Sequence, residues 1–173
     1  MKSKEADSGP CAAEEKEMVL SNAALLALAQ AVLGKGGGFR FKAKGHSMSP
    51  FIKEGDVLTL SPPEGGRLGL GVPVGFVNPA SGAFVVHRVI GTKGKGYIIK
   101  GDSCFGADGL LGKDGIVGYV SSVEREGRRI SFGLGWERVA IALLSRLGLL
   151  PALLRLWRLL VPYPLRKALL CKK

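Results

Sequence analysis

At Phe39 the spacing of apolar residues switches from helical to strict alternation, and that switch constrains the fold more than any other feature of the chain. Phe39-Arg40-Phe41-Lys42-Ala43-Lys44 places an apolar side chain at every second position, as a strand with one buried face requires. Val57–Leu60, Val72–Val77, Ala83–Ile90, Tyr97–Lys100, Ile116–Val123 and Arg129–Phe132 are rich in the β-branched and apolar residues of further strands. Between them lie turn signals: Ser61-Pro62-Pro63, Asn78-Pro79-Ala80-Ser81-Gly82, Gly91 to Gly96 and Glu126-Gly127. The chain contains 26 glycines in 173 residues, most of them in this region, where short strands and tight turns use them. The expected fold is mainly β: a small antiparallel sandwich or barrel-like domain over 39–133, built from seven short strands.

Helical composition flanks this domain. Residues 1–17 are polar and expected to be loose, whereas 18–34 (MVLSNAALLALAQAVLG) is an uncharged helical run. That run is short for a bilayer and carries Ser21, Asn22 and Gln30, so it reads as a helix lying on the domain or at a membrane surface. Residues 134–173 return to a helical pattern in three pieces, with Pro151, Pro162 and Pro164 as their expected breaks. Arg138, Arg146, Arg155, Arg158, Arg166 and Lys167 interrupt every apolar stretch of this tail before it is long enough to span. Two roles stay open for it: an in-plane membrane anchor, or a helical subdomain packed on the β core or on a second copy of the chain.

The net charge of +11 is unevenly placed: −2 over 1–17, +6 over 18–133 and +7 over 134–173. The basic tail, interleaved with leucine, suits anionic lipid. With two Trp, three Tyr and seven Phe for stacking on bases, no nucleic-acid partner is expected. Cys11, Cys104 and Cys171 stand alone and there are two histidines, so neither a disulfide framework nor a metal site is indicated, and no cofactor is expected. Gly91-Thr92-Lys93-Gly94-Lys95-Gly96 lacks the Walker spacing and lies between strands, so it is assigned to a hairpin loop.

Three segments carry residues able to do chemistry. Gly45-His46-Ser47-Met48-Ser49-Pro50 follows the first strand, and such a turn can expose a serine hydroxyl beside convergent backbone N–H groups. In Val85-Val86-His87-Arg88-Val89-Ile90 a histidine sits inside an apolar strand, where burial demands a hydrogen-bonding partner. Lys100-Gly101-Asp102-Ser103-Cys104-Phe105-Gly106-Ala107-Asp108 supplies two carboxylates after a strand. Each alone fits an ordinary turn or core role.

In this order the three segments resemble type I signal peptidases: Gly-x-Ser-Met-x-Pro, Gly55-Asp56 opening the next strand, a basic residue before Arg-Val-Ile, Lys-Gly-Asp with a second Asp, and Gly115-Ile116-Val117. The resemblance covers about residues 39–123. It implies the β fold shared by signal peptidases and self-cleaving repressor proteases, and a serine endopeptidase that removes leader segments after small residues. His87 stands where bacterial housekeeping members carry lysine, which is similar to the endoplasmic-reticulum, archaeal and sporulation-type branch. Ser47 is then implied as nucleophile, His87 as general base, Asp108 as the carboxylate that orients it and Asp102 as a supporting acid. Met48, Phe41, Val57 and Phe84 are implied as walls of shallow substrate pockets. His46, beside the nucleophile, is the rival base.

The resemblance also implies a peptide substrate and membrane association. Typical members, however, carry a clear membrane-spanning helix before the serine box, and the basic tail lies outside their common core. A self-cleaving-repressor-like regulator, with lysine expected as base and more chain before the β region, is the second expectation. A catalytically idle β module that binds lipid or protein is the third.

Overall fold

The computed structural model describes residues 21–63 and 68–160. The polar stretch 1–17, Cys11, Cys171 and the last helical piece, from Pro164 on, lie outside the described residues. In chain order the elements are α1 (Asn22–Gly34), β1 (Phe39–Lys42), β2 (Val57–Ser61), β3 (Pro73–Val77), β4 (Phe84–Lys93), β5 (Gly96–Lys100) and β6 (Gly109–Leu111). These are followed by a 3-10 turn (Lys113–Gly115), β7 (Ile116–Arg125), β8 (Arg128–Arg129), α2 (Glu137–Arg146) and α3 (Leu149–Leu160). The fold is mainly β, an antiparallel sheet flanked by an N-terminal and two C-terminal helices.

Eight strands form one sheet in the order β1-β2-β7-β3-β4-β5-β6, with β8 paired to β7. The mainly β, antiparallel expectation holds, and the strand count is corrected from seven to eight among the described residues. The additional strand, β6, is three residues long and follows directly on Asp108, so its Gly-Leu-Leu offers no alternation to detect. Two boundaries also differ. β4 continues through Gly91 to Lys93, because a register shift between Val89 and Gly91 lets the glycine join the ladder and shortens the hairpin loop to Gly94-Lys95. The last strand is only Arg128-Arg129, and the apolar residues after it turn toward α2. Further register shifts at Thr59/Leu60 and Gly75/Phe76 bend the sheet, which buries apolar side chains in two clusters.

The Ser21 hydroxyl accepts from the Ala24 N–H to cap α1, which packs Ala29 and Leu33 against Phe39, Leu58, Leu60 and Phe84. The second cluster holds Val74, Phe76, Val89 and Ile99 under β3, β4 and β5. Phe51, Ile141 and Leu150 make a third, which seats α2 and α3 on the domain. The break between these helices falls at Gly148, whose φ of +74° is one that residues with a Cβ avoid. Pro151, expected to mark the break, instead occupies the first turn of α3, where its missing N–H leaves no helical bond unmade.

One buried cation joins these parts. Arg88 of β4 is 0% exposed, and its Nε and Nη2 donate to Asp102 Oδ1 and Oδ2, both at 2.8 Å. Its Nη1 donates to the carbonyls of Gly71 (2.7 Å) and Gly133 (2.8 Å), and the guanidinium lies 5.5 Å from the centroid of the Phe51 ring. Four segments distant in sequence are thus fixed to one planar group. Removing the carboxylate leaves a buried charge without its counter-ion. Asp102→Ala is therefore expected to cost about 3–5 kcal/mol of stability, measured by urea unfolding; a loss below 1 kcal/mol would show that the clamp is not what holds these segments.

Candidate active site

The site forms where three non-adjacent segments meet: the turn after β1, the first half of β4 and the loop from β5 to β6. His87 is buried on β4 against the Phe76 ring. Its Nδ1 lies 2.6 Å from Asp108 Oδ2. An ionised carboxylate only accepts, so Nδ1 donates to it, and in a neutral ring the lone pair is then on Nε2. The other oxygen of Asp108, Oδ1, accepts from Asn78 Nδ2 at 3.0 Å, and the Asp108 N–H donates to the Ile99 carbonyl at 2.8 Å. Ring and carboxylate are therefore both held in place from behind.

Nε2 faces the serine turn. A Cβ placed on Gly101 would sit 3.0 Å from His87 Nε2, 3.0 Å from the Ser47 carbonyl oxygen and 2.8 Å from Cys104 Sγ. Gly101 is thus the point at which the histidine, the serine turn and the acidic loop touch, and no larger residue fits without displacing one of them. Two hydrogen bonds lace the loop to the turn: the Ser103 N–H donates to the Ser47 carbonyl (2.8 Å) and the Ser103 hydroxyl to the Ser49 carbonyl (2.6 Å). Among the described residues no hydrogen bond joins the Ser47 hydroxyl to the His87 ring, and the Ser47 N–H donates to no backbone carbonyl.

The two aspartates differ sharply. Asp102 is 0% exposed and bonded to Arg88, so its support is structural: it ties the loop to β4 on the side away from Asp108. Burial pushes its carboxyl above the ordinary range, and the bonds and charge of Arg88 oppose that rise. His46, the rival base, points outward with its side chain 77% exposed and pairs with Glu54 at 3.2 Å. Burial, and after it the charge of Asp108, raise the Cys104 thiol above its ordinary value. It stays protonated at neutral pH and is a poor competing nucleophile.

Ser47 opens onto a groove of about 570 Å³ lined by β1, the first residues of β4, α1 and the serine turn. Phe41, Met48 and Phe84 line it, as the resemblance implies; Val57 does not, because it precedes Leu58, whose side chain takes the groove side of β2. Among the described residues, both strands have a partner strand on one side only along this groove. β1 pairs with β2 on one side, and β5 pairs with β4 only from Arg88 onward, so Phe84–His87 have β3 alone as a partner strand. The Asn22 amide occupies the open edge at Phe84 as a peptide would: its Oδ1 accepts from the Phe84 N–H (2.6 Å) and its Nδ2 donates to the Phe84 carbonyl (3.2 Å). Strand alternation puts the N–H and C=O of Val86 on that same edge, facing the groove.

Of the residues the sequence singles out, the structure brings the Ser47 turn, His87 and Asp108 to one place and sets Asp102 on Arg88 instead. Sequence reasoning missed Asn78 and Asn22, which bear no motif and become visible only once the chain is folded. Comparison with protein-family models, curated proteins and solved structures returned no match. The packing at Gly101 yields a direct test. Gly101→Ala is expected to displace the His87 ring or the serine turn, destabilising the protein by about 1–3 kcal/mol and shifting the histidine ring NMR signals; unchanged signals would mean that the three segments are not in contact.

Proposed function

We propose that the protein is a serine endopeptidase of the signal peptidase type, with Ser47 as nucleophile, His87 as general base and Asp108 as its orienting carboxylate. The observation that carries this reading is the His87–Asp108 pair, whose free Nε2 is directed at the Ser47 turn from a buried strand. The Nε2 of this ring lies across Gly101 from the Ser47 turn, and Ser47 lines an apolar groove.

The groove supports a peptide as substrate. An extended chain can add along the β4 edge, exchanging backbone bonds with Val86 and extending past Ser47 beside β1. Phe41, Met48, Phe84 and Leu28 narrow the apolar walls, which suits small side chains flanking the cut. The preference for leader segments cleaved after small residues comes from the resemblance of the serine, histidine and aspartate segments to signal peptidases.

In the reaction, the Ser47 hydroxyl turns to Nε2 as substrate binds, since such catalytic bonds tighten in the bound complex. Oγ attacks the scissile carbonyl carbon while its proton passes to Nε2. The imidazolium is stabilised by Asp108, and the oxyanion accepts from the Ser47 N–H. Nε2 then protonates the leaving amine as the C–N bond breaks, giving an acyl-enzyme. Water, deprotonated by the same nitrogen, releases the acid and restores the serine.

Incubation with a peptide carrying an Ala-x-Ala junction tests the assignment. Ser47→Ala and His87→Ala are each expected to lower the cleavage rate by about 10³–10⁶-fold, equivalent to roughly 4–8 kcal/mol; equal cleavage by the three proteins sinks the proposal. Asp108→Asn retains the shape but favours the wrong tautomer, and a loss of about 10²–10⁴-fold is expected.

A further inference from the structure

We infer that α2 and α3 form an in-plane anchor for an anionic lipid surface, which holds the groove next to a membrane. Each helix carries two apolar stripes where one would be enough to fold. The inward stripes, Ile141 with Leu144 and Leu150 with Leu154, meet Phe51 in the third cluster. The outward stripe of α2 follows helical spacing from Trp136 (87% exposed) through Val139 and Leu143 to Leu147 (70%). That of α3 runs from Leu149 through Leu153 and Leu156 to Leu160 (70%). An amphipathic helix on a soluble domain presents polar residues at those positions. So large an outward apolar face needs a cover.

Charge decides between covers. Residues 134–173 hold eight basic side chains and one acid, Glu137. The Glu137 carboxylate is already engaged, accepting from the Gly133 and Gly135 N–H groups at 2.7 and 3.0 Å. A second copy of the chain would bring the same excess of positive charge against itself, whereas anionic headgroups complement it. At ten and twelve residues the helices are too short to cross a bilayer, and they meet at a bend of 103°. Leucine and tryptophan flanked by arginine match a helix lying at the depth of the headgroups.

The anchor is also wired to the site. Lys100, buried at the start of the acidic loop, donates from Nζ to the Ser145 carbonyl in the last turn of α2 at 2.7 Å. The Arg155 guanidinium of α3 lies 4.4 Å from the centroid of the Phe105 ring, between Asp102 and Asp108. A lipid surface against α3 is thereby placed beside the loop that carries the catalytic carboxylate.

Co-sedimentation of the full chain with vesicles of phosphatidylcholine and phosphatidylglycerol, beside vesicles of phosphatidylcholine alone, tests the inference without reference to cleavage. Binding to the anionic vesicles is expected, with a blue shift of tryptophan emission and a loss of affinity as salt rises. Leu143→Glu with Leu156→Glu, at exposed positions that leave the fold intact by thermal melting, should weaken binding at least about tenfold. Ser47→Ala should bind as the parent does, so a failed peptidase and a failed anchor are told apart. Absent binding to anionic vesicles, or binding that the double variant leaves unchanged, overturns the proposal. So does a dimer by sedimentation velocity that the double variant dissociates while lipid binding is absent, which would assign the face to a second copy.

Discussion

A fully buried arginine cannot shed its charge, and every part of this fold near the site is arranged around that fact. Arg88 follows His87 in β4, so strand alternation sends the two side chains to opposite faces. Placing the guanidinium in the interior is expensive unless all its donors are met. Four hydrogen bonds, at least one from each nitrogen, go to Asp102, Gly71 and Gly133, which come from the acidic loop, the turn before β3 and the approach to α2. Such a pair adds little net stability over well-packed apolar residues, but it tolerates no alternative arrangement. The result is positional: the loop with Asp102 at one end and Asp108 at the other can take one path past β4, and that path brings Asp108 to Nδ1 of the neighbouring histidine.

The sheet contributes the groove by being incomplete. β4 is ten residues long, but β5 pairs only with its second half, and β1 is an edge strand. Unpaired strand edges invite association and are commonly covered. Here α1 covers part of the opening, and the Asn22 amide closes the edge at Phe84, one alternation short of Val86. The remaining backbone pair lies where a peptide reaching Ser47 would pass. Leu25 of α1 packs with Phe39 and Phe84 in the first apolar cluster, and the same three side chains line the groove, so the contacts that seat α1 also shape its wall.

Much of this was legible before the structure because its physical cause is local. The alternation from Phe39, the glycine and proline punctuation and the return of helical spacing after Gly135 located most elements to within a few residues. Ser47, His87 and Asp108 were readable as an ordered set rather than from any one of them. What could not be read depends on long-range contact. Asn78 looks like a turn former, and it is one, since its Oδ1 accepts from the Ala80 and Ser81 N–H groups. That the Nδ2 of the same amide steadies Asp108, thirty residues away, is a property of the folded chain. β6 is too short for periodicity to register, and Pro151 misled because proline is as suitable inside the first turn of a helix as before it.

The division of labour between the two aspartates shows how environment assigns roles to identical side chains. Six positions apart on one loop, both are close to His87 in sequence logic, and either is chemically able to hold an imidazolium. Asp102 is sealed from solvent with both oxygens bonded to Arg88, so its charge is already matched, and the ring is bonded to Asp108 instead. Asp108 keeps slight contact with solvent, takes one neutral donor from Asn78 and gives its second oxygen to His87. A carboxylate facing a neutral amide keeps its negative charge uncompensated beside the ring; one already paired with arginine does not. A guanidinium is therefore placed beside the carboxylate that positions the loop, and the one bonded to the imidazole has a neutral amide as its other partner.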